Sequence, residues 1–164
     1  SFRDTTVHLA DTSGYLRLTR AGFLGSTPGN NAGDSVTVIA TTGERTGQPV
    51  GDLARIARLL LRPPPVPIPV SSAVAATADV GRLDAALVLV TSSIISDSAT
   101  VSPDFKVIVS DGTGDLEVLI DATIGVNRTV FQPGRSMNVR GVLVPNGAGG
   151  WRLKPRDFSD ILIN

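Results

Sequence analysis

Apolar and polar residues alternate with period two along much of this chain, the pattern of strands with one buried face. The clearest alternation occurs twice. Val7-His8-Leu9-Ala10-Asp11-Thr12-Ser13-Gly14-Tyr15-Leu16-Arg17-Leu18 matches Val107-Ile108-Val109-Ser110-Asp111-Gly112-Thr113-Gly114-Asp115-Leu116-Glu117-Val118. Each copy reads as strand, tight turn with Asp-x-x-Gly, and strand, which is a β-hairpin. The match resumes downstream, where Gly33-Asp34-Ser35-Val36-Thr37-Val38-Ile39-Ala40 aligns with Gly134-Arg135-Ser136-Met137-Asn138-Val139-Arg140-Gly141. Gly47-Gln48-Pro49-Val50 then stands opposite Gly150-Trp151-Arg152-Leu153. Both copies close on apolar tails, Ile56 to Leu61 and Phe158 to Ile163. The spacing of the copies exceeds that of a solenoid unit, so the repeat is a duplicated domain.

Between the copies lies Arg62-Pro63-Pro64-Pro65-Val66-Pro67-Ile68-Pro69-Val70. Proline fixes φ and removes the amide donor, so this stretch is extended. It is either a stiff spacer or a strand that pairs along one side only. Ser71 to Val80 is Ala-rich with a Ser start and predicts a short helix capped by Ser71 or Ser72 and ended by Gly81. Leu83 to Ser96 then reads as a long strand, and Ser98 to Asp104 as the loop into the second hairpin. The expected division is residues 1–62, a first domain; 63–82, linker and helix; and 83–164, a second domain.

The second copy therefore orders as long strand, hairpin, connector, strand, strand. Five strands with the connector between the third and fourth is the OB-fold order. The residues Asp111-Gly112-Thr113-Gly114, Pro133 to Gly141 and Trp151-Arg152-Leu153-Lys154-Pro155-Arg156 resemble a family of small OB-fold modules of large secreted and surface proteins of bacteria. The resemblance covers residues 83–164 well and 5–61 more weakly, and its motifs imply fold rather than function. The expected class is all-β: two tandem OB-fold-like five-stranded barrels joined by a Pro-rich linker and a short helix.

The first copy departs from the pattern. Its hairpin begins near Thr5, leaving only Ser1 to Asp4 ahead of it. The long first strand has no counterpart there. A barrel without that strand exposes two edges, and each unpaired buried backbone group costs about 1–3 kcal/mol. Either the sequence is a piece of a longer chain in which that strand precedes Ser1, or another segment supplies it; supply by another copy is a mode known as β-augmentation. Donor and acceptor surfaces differ, so such a contact is heterologous and generates a filament unless it closes into a ring. The candidate donors are the tail, with Phe158, Ile161, Leu162 and Ile163, and the linker, with Val66, Ile68 and Val70. In this respect the architecture is similar to extracellular bacterial fibres built by strand exchange.

Composition narrows the chemistry. Among 164 residues there is no Cys, so neither disulfides nor thiolate metal sites are available. Fifteen cations balance fifteen acids, and aromatics are 4%. These values set nucleic acid aside, because such sites need a basic groove and stacking rings. No apolar run is long enough for a membrane-spanning helix, and membrane insertion is not expected. The opening Ser1, the scarcity of Lys and the many Ser, Thr and Gly residues suggest an exported protein, extracellular or at the cell surface.

Catalytic patterns are missing. His8 is the sole histidine and sits in a strand; Asp11-Thr12-Ser13-Gly14 is a turn with one residue too many for an aspartic protease signature. Asp111 and Asp115 are too few oxygen ligands for a calcium loop. Gly147-Ala148-Gly149-Gly150 lacks the Lys and Ser/Thr of a phosphate loop. No enzyme activity, cofactor or metal is expected. Asn127-Arg128-Thr129 fits the N-linked glycan acceptor pattern, which makes Asn127 the candidate for attached sugar. The expected function is a structural subunit of an extracellular filament, with copies of itself as partners. The second reading is a non-catalytic binding module of a larger secreted enzyme, a nuclease or other hydrolase.

Overall fold

The computed structural model describes residues 6–19, 33–45 and 48–164; Gly47 of the repeat lies outside them. The chain divides into two compact units, one ending at Val66 and one running from Pro67 to Asn164. The Pro-rich segment is thus split between units, and the helix belongs with the second.

In the first unit, β1 (Val7–Ala10) and β2 (Tyr15–Thr19) form the expected hairpin, followed by β3 (Ser35–Arg45) and β4 (Gln48–Leu60). The order across the sheet is β1-β2-β4-β3. β2 and β4 run parallel, with Leu18 opposite Gly51. β3 and β4 pair antiparallel over their whole length, with irregularities between Ser35 and Val36 and between Ile39 and Ala40. Such slips add local twist and curl the sheet into a half-barrel.

The second unit opens with β5 (Ile68–Pro69) and α1 (Ser72–Thr77), followed by β6 (Leu87–Val101), β7 (Asp104–Ser110) and β8 (Asp115–Ile120). After two 3-10 turns come β9 (Ser136–Pro145), β10 (Trp151–Lys154) and, after a further 3-10 turn, β11 (Ile161–Ile163). β6 pairs with β7 and with β9, β8 pairs with β7 and, in parallel, with β10, and β10 pairs with β9. The ring β6-β7-β8-β10-β9-β6 is a closed five-stranded OB barrel. The chain is all-β, with two tandem units of OB type, one closed and one open.

Inward-facing Val88, Val90, Val107, Val109, Leu116, Val118, Met137 and Val139 are wholly buried. The alternation read from sequence produces this core, since successive strand residues face opposite sides. Gly141 is required where β9 meets β10: a Cβ there would lie 2.4 Å from the Lys154 carbonyl oxygen. One barrel end is closed by Phe105 and Phe131, edge to face at 5.4 Å, with the Arg128 guanidinium over Phe105. The other is covered by α1, capped by Ser71, whose hydroxyl accepts from the Val74 amide.

Three local expectations shift. The helix stops at Thr77, not Gly81, and Ala78, Asp79, Val80 and Gly81 all take positive φ. This left-handed turn is held by bonds from Leu83 N–H to the Ala78 carbonyl and from Ala85 N–H to the Leu143 carbonyl. Leu83 to Ala86 consequently belong to the turn, and the long strand begins at Leu87. At its far end the strand continues through Ser98 to Val101, because antiparallel pairing with Asp104 to Val107 extends it into the expected loop.

The tail is fastened electrostatically. The Asp160 side chain is wholly buried between Arg156 and Arg140. It accepts from the Arg156 backbone amide at 2.9 Å and from the Arg156 guanidinium at 2.8 and 2.9 Å. Burial alone would raise its pKa, but the Arg156 and Arg140 bonds outweigh it and hold it below the ordinary carboxylate value. Asp160→Asn leaves two guanidiniums short of a counter-charge and should cost about 2 kcal/mol, less than for fully buried pairs because both arginines are partly exposed. Because the folded pKa is depressed, this contribution is present above about pH 4 and fades as pH falls through the folded value. Urea titrations of both proteins at pH 7 and pH 3 should show the difference shrinking at the lower pH. Independently, Val80 is β-branched, 91% exposed and held at φ 58°. Val80→Asn should raise stability by about 1 kcal/mol, measured by thermal denaturation.

Candidate functional site

The closed barrel defines what the open one lacks. β6 lies between β7 and β9, antiparallel to both: Ile95 faces Val109 and Ile94 faces Ser110 on one side, while Val90 faces Val139 and Ser93 faces Met137 on the other. By the sequence repeat, β1 corresponds to β7, β2 to β8, β3 to β9 and β4 to β10. No described strand of the first unit corresponds to β6. Among the described residues β1 pairs only with β2, and β3 only with β4. The vacant position is bounded by two edges.

Burial records the same vacancy. Val107, Val109, Leu116, Met137 and Val139 are fully buried, whereas their counterparts Val7, Leu9, Val36 and Val38 are half-exposed and Leu16 is 37% exposed. The residue types match, and among the described residues no strand covers these positions in the first unit. On the outer face, Ile39 is 59% exposed, and at the end of β4 Leu59, Leu60 and Leu61 are 60%, 55% and 68% exposed.

The candidate donors occupy definite places. Ile161, Leu162 and Ile163 form β11, paired antiparallel with Val139, Asn138 and Met137 of the same chain. Phe158 lies on the preceding 3-10 turn, 65% exposed. Ile68 is in β5, pairing parallel with Val88, and the Val70 amide donates to the Leu89 carbonyl at 3.0 Å. Val66 is 87% exposed. Sequence reasoning missed the Asp160 clamp on the tail; the i,i+4 spacing of Arg156 and Asp160 was the available signal.

The turn aspartates act structurally. Asp11 Oδ1 accepts from the Ser13 amide and hydroxyl at 2.7 and 2.6 Å and from the Gly14 amide at 3.1 Å. The Ser13 hydroxyl bond is the main cause holding its pKa below the ordinary value. Asp111 repeats the arrangement with Thr113 and also receives the Ser72 hydroxyl, so its pKa lies further below. His8 faces Arg17 across the hairpin. Among the described residues no three His, Asp or Glu side chains gather as metal ligands, and no helix is long and apolar enough to cross a membrane. Asn127 is exposed and caps a 3-10 turn, its side-chain oxygen accepting from the Thr129 amide at 3.1 Å and hydroxyl at 2.8 Å. Trp151 donates its indole N–H to Asp84 at 2.7 Å and packs over Gly81.

No protein-family model and no curated protein sequence matches the chain. Solved structures with a similar course include asparaginyl-tRNA synthetase from Pyrococcus horikoshii, at 16% identity over 49% of this chain and a TM-score of 0.41. The matched region is 19% of the synthetase, about a fifth of its length. The p204 HINb domain aligns over 97% of this chain and 83% of its own, at 13% identity and a TM-score of 0.38. A murine DNA-binding protein bound to double-stranded DNA aligns over the same shares, at 10% identity and a TM-score of 0.44. The last comparison corrects the partner expectation. Nucleic acid was set aside on net charge and aromatic content, yet a protein of similar course is seen holding duplex DNA. Net charge averages over a surface and does not report its local distribution, so nucleic acid is not excluded as a partner.

Trp151 is the only tryptophan and belongs to the closed barrel. Amides at the edges β1 and β3 should exchange with deuterium faster than their counterparts in β7 and β9. Urea should likewise reduce the far-ultraviolet circular dichroism in an early step to which Trp151 fluorescence does not respond. A single transition shared by both probes would contradict separate stabilities for the two units.

Proposed function

We propose that this chain is a non-catalytic structural subunit of an extracellular filament, in which the first unit of each copy is completed by a strand from the next. The observation that carries this reading is the strand position between β1 and β3: two edges bonded on one side only among the described residues, over inner-face positions whose counterparts are fully buried. Burying a Val or Leu side chain is worth about 1.5–3 kcal/mol, so covering several such positions supplies a substantial drive for association. The closed unit offers no equivalent vacancy, which makes the contact directional and suits head-to-tail growth. Support for the extracellular setting comes from composition: no Cys, two Lys, and abundant Ser, Thr and Gly.

The donor must bond on both sides. Pro67 and Pro69 lack amide hydrogens, so the linker suits a one-sided position such as β5 and fills a two-edged gap poorly. The tail is the better of the two segments, but needs release from β9 and from the Asp160 clamp.

Electron microscopy and sedimentation of the purified chain test the proposal. Filaments are expected, and Val38→Asp, which puts a charge on the inner face of the open sheet, should abolish them while Trp151 fluorescence is unchanged. A chain that stays monomeric at all accessible concentrations, or filaments indifferent to Val38→Asp, would sink the reading.

A further inference from the structure

The closed unit shows that its β6 position is filled by more than a strand. The segment arrives through α1, and α1 is fastened to the Asp111 turn. The Ser72 amide donates to Asp111 Oδ2 at 3.1 Å. The Ser72 hydroxyl lies 2.6 Å from both Asp111 Oδ1 and the Gly114 carbonyl, and the Asp111 amide donates to it at 3.2 Å. The Ala73 amide donates to the Thr113 hydroxyl at 3.1 Å. Contact is close enough that a Cβ on Gly114 would sit 3.2 Å from that of Ala73. Ser72 is wholly buried by this docking.

The open unit carries a related seat with one difference: the Asp11 amide donates to the Gly14 carbonyl at 3.0 Å, whereas in the closed unit the Asp111 amide and the Gly114 carbonyl both bond the Ser72 hydroxyl, so a hydroxyl entering at Asp11 has to displace that bond. Asp11 Oδ1 is organised by Ser13 as Asp111 Oδ1 is by Thr113, with the hydroxyl bond at 2.6 Å in both. Gly14 stands where Gly114 does, and nothing lies within 4 Å of the position its Cβ would take. Asp11 is exposed. A bare strand between β1 and β3 would leave this seat empty. The chain therefore holds two receptors of one kind, but only one segment of the α1–β6 kind among the described residues. That segment is in use at home, so no arrangement of copies that draws on α1–β6 alone fills every receptor.

We propose that the open sheet receives a helix–strand segment of a partner polypeptide. A Ser or Thr at the start of a short helix seats on Asp11 and Gly14, and the strand that follows runs antiparallel to both β1 and β3. Its core positions take small or β-branched residues, as β6 does with Val88, Val90, Ser93 and Ile95, and they exclude proline because both sides bond. The inference rests on the reading above for the position being filled from another polypeptide; the chemistry of the segment comes from the closed unit.

A fluorescent peptide of residues 70–101 of this sequence is the probe, titrated against the full chain. Saturable binding is expected, lost in the Val38→Asp chain and weakened about tenfold or more with a Ser72→Ala peptide or an Asp11→Asn chain. The peptide substitution leaves the chain untouched, so misfolding cannot mimic its effect. A peptide of residues 87–101 alone should bind more weakly. No binding overturns the inference, and so does equal binding by the full, Ser72→Ala and 87–101 peptides, which would mean that a bare strand suffices. Binding governed by Asp111→Asn and not by Asp11→Asn, the sign of exchange into the closed barrel, also overturns it. Filaments formed by a chain that ignores the peptide would leave the filament reading standing without this one. Peptide binding by a chain that forms no filaments would do the reverse.

Discussion

Everything in this molecule turns on how the first strand of an OB barrel is bonded on both sides. β6 is the strand that converts a curled sheet into a closed surface, because β7 and β9 have no other means of satisfying their facing amides and carbonyls. Its insertion also buries the inward Val, Leu and Met residues contributed by the other four strands. With it, the second unit is a sealed core; in the first unit, where no described strand fills that place, Val7, Leu9, Leu16, Val36 and Val38 are part-exposed while Leu18 stays buried. One element governs backbone bonding and apolar burial together.

Much of this architecture is legible in the sequence, for a physical reason. The hairpins at Val7 to Leu18 and Val107 to Val118 announce themselves because period-two burial and the Asp-x-x-Gly turn are both local. The unpaired edges are legible because duplication supplies an internal standard: among the described residues β6 has no counterpart in the first unit. What escapes the sequence is mostly tertiary. The left-handed run after α1 shows no turn signature before Gly81; its own bonds are local, from Ala78 to Ala75 and from Asp79 to Val74, and distant backbone enters only where Ala85 N–H meets the Leu143 carbonyl. The docking of Ser72 on Asp111 joins residues far apart in the chain, and so does the enclosure of Asp160 by Arg140.

The partner question shows the limit of bulk quantities. Balanced charge and few rings are averages over a whole chain, whereas recognition depends on what a particular face displays. The geometry of bonded and unbonded strands is of a different kind. It specifies direction, register and side-chain size for whatever comes to lie there.

The likeness of the two receptors also bears on how the chain reaches its native state. Synthesis runs from the N-terminus, so the open sheet exists before β7 to β10 have been made, and α1–β6 emerges into its presence with its proper partners still to come. On the proposal above, the first sheet is a competing destination for α1–β6 during folding. The run from Pro63 to Pro69 then gains a purpose beyond spacing. Ile68 and Pro69 of that run pair with Val88 and Leu89, which commits β6 locally to the second unit before its later partners are made.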